Sequence, residues 1–238
     1  MKNALVFLLL ITWLSTPLFA QQSLTGNGQI VKQQRTIGTF DKVNVRVGMR
    51  VQITTGNAGS AELEGESNIL EHVITNVKNG ELTVMLDQGK SYNQTKAVTV
   101  TIHVSKLDRV AISTGCSVTS DIPIQAENLT LLVETGSNLT SPVSSKKLNL
   151  TVKEGSKATL EGKTGEATIR LSDAGKLEAK RLTIEKATIN VEGASNASIV
   201  VTGTIAASAD GVSTITYGGN PTVTAEAATG LSRIRKQR

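Results

Sequence analysis

The sequence is poor in the side chains on which most catalytic and metal chemistry depends. Aromatic residues make up 3% of its 238 residues, there are two histidines, and Cys116 is the single cysteine. One cysteine cannot form an intramolecular disulfide, so the fold must be stabilised by its own core. The lack of clustered cysteine and histidine also argues against a structural zinc site.

Candidate catalytic residues are correspondingly few. Neither His72 nor His103 adjoins a Gly-x-Ser-x-Gly elbow, so we interpret both as surface histidines. Cys116 stands where other repeats have serine, which favours a small residue at a turn over a reactive thiol. Gly162-Lys163-Thr164 matches the last three residues of the phosphate-loop motif G-x-x-x-x-G-K-S/T, but Lys157 occupies the position of its first glycine, so the motif is incomplete. The sequence therefore predicts no catalytic, cofactor-binding or metal-ligating residue, and no cofactor.

The positive charge is concentrated at the two ends of the chain. The formal net charge is +5, and Arg233-Ile-Arg-Lys-Gln-Arg238 alone carries four basic residues. Because the remainder is close to neutral and poor in aromatics, the composition argues against nucleic-acid binding. We predict that residues 231–238 form a solvated basic tail. The alternative is that this tail interacts with anionic polymers of the envelope.

The N-terminus predicts a secretory signal peptide over residues 1–20. Lys2 precedes an apolar run from Ala4 to Leu14, which is too short to span a bilayer, and cleavage is expected after Ala20. No other stretch is long and apolar enough for a transmembrane anchor. Residues 21–34 are polar and without sustained periodicity, which predicts a flexible leader before a fold that begins near Arg35.

Residues 107–223 contain a repeat. In each segment, such as Val110–Val118 or Leu131–Leu139, two apolar residues two apart are followed three positions later by a turn residue. The period of about 20 residues, with strand-type alternation, is typical of a solenoid. The sequence predicts an all-β fold, a right-handed parallel β-helix-like solenoid with short rungs, and a two-sheet sandwich is the main rival. The predicted turn positions are Gly115, Gly136, Gly155, Ala174, Ala194 and Asp210.

Equivalent positions of the repeat predict columns along the solenoid. The predicted inward columns are Ile112, Val133, Val152, Leu171, Val191, Ala207 and Val118, Leu139, Ala158, Leu177, Ala197. The predicted outward column is Thr119, Thr140, Thr159, Glu178, Ser198, Thr214. Residues 214–223 are expected to form the last rung.

The segment before the repeat predicts further strands and one short helix. Alternation from Phe40 to Ile53, with a possible break at Gly48, predicts a strand with one buried face. Residues 67–77 predict a helix capped by Ser67, which would plug the open end of the solenoid. Asn79-Gly80 predicts a hairpin turn.

These features together resemble a bacterial family, the "putative auto-transporter adhesin, head GIN domain" proteins. The residues that carry the resemblance are Gly38-Thr-Phe-Asp-Lys-Val43, Gly65-Glu-Ser-Asn-Ile-Leu-Glu-His-Val73, Ser113-Thr-Gly-Cys-Ser117 and Gly230-Leu-Ser-Arg-Ile-Arg-Lys236. The resemblance covers residues 35–230 as one domain and continues to the C-terminus. It implies an exported β-solenoid on or near the cell envelope, and it offers no catalytic residues.

Three hypotheses for function remain open. The first is a non-enzymatic adhesion or binding module in the periplasm, at the outer membrane or on the cell surface, whose partner is an envelope or extracellular glycan or protein. The second is a structural module that self-associates through the ends of the solenoid. The third is a polysaccharide-active enzyme that uses Glu154 and Asp173, which are neighbours before two successive turns.

Overall fold

The structure, a computed structural model, describes residues 23–56 and 58–237. The predicted signal peptide lies outside these residues. The described chain is nearly all β and forms a β-solenoid of about 7 turns, so the predicted fold class is confirmed. We call one turn of the solenoid a rung.

The N-terminal region contains short strands and one helix. The elements are β1 (Ser23–Thr25), β2 (Ile30–Thr36), β3 (Lys42–Val45), β4 (Arg50–Thr54), β5 (Ser60–Glu66), α1 (Ser67–Leu70), β6 (Val73–Lys78), β7 (Glu81–Leu86), β8 (Ser91–Asn93) and β9 (Thr99–His103).

The regular solenoid follows with longer strands that bend around its sides. The elements are β10 (Arg109–Ile112), β11 (Ser117–Ser120), β12 (Ile124–Val133), β13 (Asn138–Val152), β14 (Lys157–Leu171), β15 (Lys176–Val191), β16 (Asn196–Ala209), β17 (Thr214–Gly218), β18 (Thr222–Ala228) and β19 (Arg233–Lys236).

Parallel pairing divides the surface into two broad faces. Face A is the outward surface of β9, β4, β11, the first halves of β13 to β16, β17 and β19. Face B is the outward surface of β7, β3, β10, the second halves of β12 to β16, and β18. A short side joins face A to face B, and a tight corner leads from face B back to face A.

The core lies between the two faces. All the predicted inward positions are buried, so the inward columns are confirmed as burial predictions. Their register is wrong in the last repeat, because Ala207 pairs with Ile189 and Ala209 pairs with Val191. For the same reason Thr216, not Thr214, continues the outward column after Ser198.

The corners combine left-handed backbone with buried small side chains. At two successive corners Glu154-Gly155 and Asp173-Ala174 have positive φ angles, 55° and 68° in the first and 51° and 64° in the second. Small residues follow the corners, and where the residue is serine, as at Ser137 and Ser156, its side chain is buried and its Oγ accepts a backbone N–H group. Cys116 N donates to Ser137 Oγ at 3.2 Å, and Ser137 N donates to Ser156 Oγ at 3.1 Å.

The predicted flexible leader is wrong for the described residues 23–34. β2 pairs antiparallel with β5 along its whole length, from Ile30 opposite Glu66 to Thr36 opposite Ser60. β2 is an edge strand and is largely exposed. It therefore lacks the apolar alternation by which a half-buried strand is recognised, and the fold begins well before Arg35.

The predicted helix over residues 67–77 is too long. α1 ends at Leu70, and β6 then pairs antiparallel with β7 across the Asn79-Gly80 turn, which has the expected positive φ angles. Glu66, not Ser67, is the N-cap, and no side chain caps the helix. Ile69 and Leu70 are buried at this end of the solenoid, so the short helix does contribute to its cover.

The predicted basic tail is not a separate segment in the described residues. β18 pairs with β16, and β19 pairs with β17, so residues 222–236 form a further rung beyond the expected last one. β18 is exposed along its whole length because no later rung covers it. Without burial, its sequence has no apolar pattern to predict a strand.

Candidate functional site

The contacts of the corner carboxylate Glu154 make it unsuited to be the acid of a glycosidase pair with Asp173. Glu154 Oε2 accepts the Thr135 hydroxyl at 2.6 Å, and Oε1 pairs with Lys153 Nζ at 3.0 Å. These two contacts hold the pKa of Glu154 below its ordinary value. A glycosidase acid needs the opposite shift, since it must be protonated near neutral pH. Asp173 accepts the hydroxyl of Ser172 at 3.0 Å.

Cys116 is a buried member of the corner column. Burial raises the pKa of its thiol to about 11, although the N–H groups of Met49 and Gly48 oppose this shift. A reactive cysteine needs an accessible thiolate. The interpretation of Cys116 as a small residue at a turn is confirmed.

His72 lies at the surface but is partly buried and hydrogen-bonded. Its Nδ1 lies 2.9 Å from Asp87 Oδ2, and its Nε2 lies 3.2 Å from Lys90 Nζ. Tyr92 donates its hydroxyl to Asp87 Oδ1 at 2.6 Å. The Tyr92 and His72 hydrogen bonds hold the pKa of Asp87 below its ordinary value. The cluster fastens the loop around β8 to the end of α1. His103 Nδ1 lies 2.8 Å from the Thr55 carbonyl oxygen.

Face A carries two outward columns of polar side chains in register. Hydroxyl, amide and charged groups lie on successive strands at the strand spacing of about 4.8 Å. The first column is Thr99, Arg50, Ser117, Asn138, Lys157, Lys176, Asn196, Thr214 and Arg233. The second column is Thr101, Gln52, Thr119, Thr140, Thr159, Glu178, Ser198, Thr216 and Arg235.

The two columns continue from β15 to β16, but a step follows directly after them on these strands. Ala179 pairs with Ile199 and Thr183 pairs with Val200, so residues 180–182 of β15 have no partner in β16. β15 also has one residue more than β14 over this stretch. The excess bulges outward, as β-bulges do when they re-aim side chains at an edge. The bulge therefore overhangs the narrower rung that follows it.

A cleft of about 540 Å³ lies under this overhang, and we call it the step cleft. Lys180 and Arg181 of the bulge form one wall, and Asn196 and Ser198 of β16 lie on the other side. The polar groups that line it are Thr159, Lys176, Glu178, Lys180, Arg181, Asn196 and Ser198.

Most charges of the step cleft are paired, and one is not. Glu178 bridges Lys157 and Lys176 at 2.8 and 2.9 Å, and these two contacts lower its pKa. Arg181 Nη2 lies 2.9 Å from Glu161 Oε2. Lys180 has no ion pair or hydrogen bond with any residue that the structure describes. The lining therefore has an excess of positive charge. The sequence predicted that Thr159, Glu178 and Ser198 face outward, but it did not indicate Lys180 or Arg181.

A second polar cleft, the side cleft, lies on the short side of the solenoid. It has a volume of about 570 Å³ and is lined by Lys106, Lys146, Lys163 and Glu127 among others. Lys146 is paired with Glu127, and Lys163 has no ion pair or hydrogen bond among the described residues. Its charges therefore resemble those of the step cleft, but it lies away from the columns of face A.

The described residues contain neither a metal-binding cluster nor a membrane-spanning helix. Within residues 23–56 and 58–237, no group of three or more His, Cys, Asp or Glu side chains could hold a metal ion. No helix within the same ranges has the length and apolar character needed to cross a membrane.

A family model described as "Putative auto-transporter adhesin, head GIN domain" matches residues 39–221. The chain belongs to this family. The resemblance found in the sequence is thereby confirmed. No curated protein matches the chain.

Solved structures support the fold of this head GIN domain protein. A putative adhesin from Bacteroides fragilis superimposes with a TM-score of 0.84 at 20% identity, covering 90% of this chain and 100% of that chain. A putative adhesin from Parabacteroides merdae gives a TM-score of 0.70 at 16% identity, covering 91% and 100%. A putative lipid binding protein from Parabacteroides distasonis gives 0.73 at 14% identity, with the same coverage. At these identities the likeness extends to the fold alone.

Proposed function

We propose that this protein is a non-enzymatic binding module, exported to the cell envelope or cell surface, which binds an envelope or extracellular polymer through face A. Membership of the adhesin-like family supports the class and the location. The observation that carries the proposal is the pair of outward polar columns, which run in register along the solenoid.

A flat face of this kind suits an extended ligand. Each rung repeats hydroxyl or amide groups such as Thr140 and Asn138 at the strand spacing, so a polymer can make the same hydrogen bond many times. The side chains lie on regular strands, which hold them in place before the ligand arrives, so little ordering of the protein is required on binding.

The proposal is tested by blocking one face at a time. Thr140 lies on face A and Thr151 lies on face B of the same strand, β13. We expect Thr140→Trp to reduce binding of the purified protein to isolated bacterial envelopes and to immobilised polysaccharides by about tenfold, because the indole ring covers the columns. Thr151→Trp is the matched control and should bind like the wild type.

Two results would reject the proposal or its location. Wild-type protein that binds neither envelopes nor polysaccharides would remove the binding role. Equal loss in Thr140→Trp and Thr151→Trp would remove face A as its location.

Self-association is a second candidate function, and one observation favours it. No described residue covers the C-terminal end of the solenoid, and Val223 and Leu231 there are 42% and 76% exposed. An unpaired edge such as β18 can accept a strand from a second copy. Light scattering at high protein concentration should then give a dimer, and V223K/L231K should give a monomer. A wild-type protein that remains monomeric would rule this candidate out.

A further inference from the structure

We propose that the step cleft binds an acidic polysaccharide, with an anionic group of one sugar unit placed against Lys180. This inference rests on the proposed binding function of face A and names the class of ligand. The first observation is the step between β15 and β16, because the overhang of β15 makes a concave site on a face that is otherwise flat.

The charges of the cleft select an anion. Glu178 is already shared by Lys157 and Lys176, and Arg181 is held by Glu161. Lys180 is left with no described partner, in a cleft whose other cations exceed its one lining carboxylate. A ligand carboxylate or sulfate would supply the missing counter-charge at an exposed position where the lysine loses little hydration.

The neutral groups of the cleft select a sugar. The Thr159 and Ser198 hydroxyls and the Asn196 amide can both donate and accept hydrogen bonds, as sugar hydroxyls require. No aromatic side chain lines the cleft, so it has no surface on which to stack a nucleic-acid base. Its volume falls within the range of ordinary small-molecule sites, about 300–1,000 Å³. Those sites are lined mainly by apolar side chains, whereas most residues that line this cleft are polar, which favours a polar ligand.

The surface beyond the cleft favours a chain over a single sugar. The column through Lys176 and Asn196 continues to Thr214 and then to Arg233. Three strand spacings separate Lys176 from Arg233, which is roughly 14 Å at about 4.8 Å per strand. Arg235 lies beside Arg233 on the same strand, facing outward in the second column. An extended acidic chain can therefore contact the cations of the step cleft at one point and Arg233 and Arg235 at another along the same face.

Binding of polygalacturonate, measured by titration calorimetry, tests the inference on the full-length purified protein. We expect K180E/R181E to weaken binding by at least about tenfold, since two attractions become repulsions at low salt. The matched control is K146E/K163E in the side cleft, which also replaces one ion-paired and one unpaired lysine. It makes the same change in net charge and should bind within twofold of the wild type.

Two further ligands separate the possible failures. If polyglutamate binds as tightly as polygalacturonate, the cleft recognises charge alone and the assignment of a sugar is overturned. If the wild type binds neutral dextran equally well, or if both double variants lose affinity to the same extent, the step cleft is not the site, while the binding function of face A stands. If the wild type binds isolated envelopes but no polysaccharide, the step-cleft proposal fails and the binding function of face A stands; if it binds neither, both proposals fail. Circular dichroism of each variant distinguishes lost binding from lost folding.

Discussion

Glu66 is a fully buried carboxylate that joins two segments distant in the sequence. Its oxygens accept the Gly28 N–H at 2.7 Å and the Thr95 N–H and hydroxyl at 3.0 Å each. Burial raises the pKa of Glu66, but these three hydrogen bonds outweigh it and leave the pKa below the ordinary value. The N-terminal segment and the loop after β8 are thus fastened to the end of β5 by one side chain.

The pKa of Glu66 predicts how its contribution to stability depends on pH. Since the folded-state pKa is lowered, the contribution is present above the ordinary glutamate pKa of about 4.3 and is lost as the pH falls through the folded-state value. We therefore expect Glu66→Gln to lower the thermal unfolding temperature at pH 7 and to have a smaller effect near pH 3.

The control for this change is Glu185→Gln, at an exposed position of β15. It should leave the unfolding temperature unchanged at both pH values. A Glu66→Gln variant whose destabilisation is the same at pH 7 and pH 3 would contradict the assigned role.

At the scale of the element, the corners are set by backbone conformation. Gly155 and Ala174 occupy equivalent positions on successive rungs, with φ angles of 68° and 64°. A Cβ atom on Gly155 would meet nothing within 4 Å, so a substitution there changes conformational energy and not packing. The left-handed region costs a residue with a Cβ atom roughly 1–2 kcal/mol relative to glycine.

This equivalence predicts opposite effects from reciprocal substitutions. We expect Gly155→Ala to lower the free energy of unfolding by about 0.5 kcal/mol and Ala174→Gly to raise it by about 0.5 kcal/mol, because the greater entropy of the unfolded glycine chain offsets part of the left-handed cost in both cases. Urea denaturation measures both values. If Ala174→Gly destabilises the protein as much as Gly155→Ala, backbone conformation does not control the corners.

The corners also explain which parts of the solenoid the sequence could predict. In β12 to β15 the inward column positions are apolar, so the register is readable. The second corner position is glycine in Thr135-Gly136 and Glu154-Gly155, and alanine in Asp173-Ala174. From Gly193 onward only the first corner position keeps a positive φ angle, as at Gly211. The predicted turn at Asp210 aligns Gly211 with Ser195, whereas Gly211 lies opposite Gly193, so the prediction for Ala207 is two residues out of register.

The strands that sequence analysis missed are those with little burial. β2 and β19 are edge strands whose stability comes from backbone pairing with β5 and β17, and pairing leaves no pattern in side chains. The step cleft was missed for a related reason. Its one signal is the shorter spacing after Ala194, which shows a change of rung length but not which strand bulges.

At the scale of the whole molecule, the two ends of the solenoid differ. The N-terminal end is covered by α1 and by Arg35, whose guanidinium donates to the carbonyl oxygens of Val73 and Leu70 at 2.5 and 2.8 Å. The C-terminal end has no such cover in the described residues, and its final strand carries Arg233, Arg235 and Lys236. Like charges on an edge strand oppose pairing with an identical strand, so this end of face A is suited to an anionic ligand.

The most direct test of binding through face A is the acetylation rate of individual lysines with and without polygalacturonate, followed by mass spectrometry. The account predicts that the ligand slows labelling of Lys176 and Lys180 and leaves Lys146 and Lys163 unchanged. Protection of all four lysines to the same extent, or of Lys146 and Lys163 alone, would contradict it.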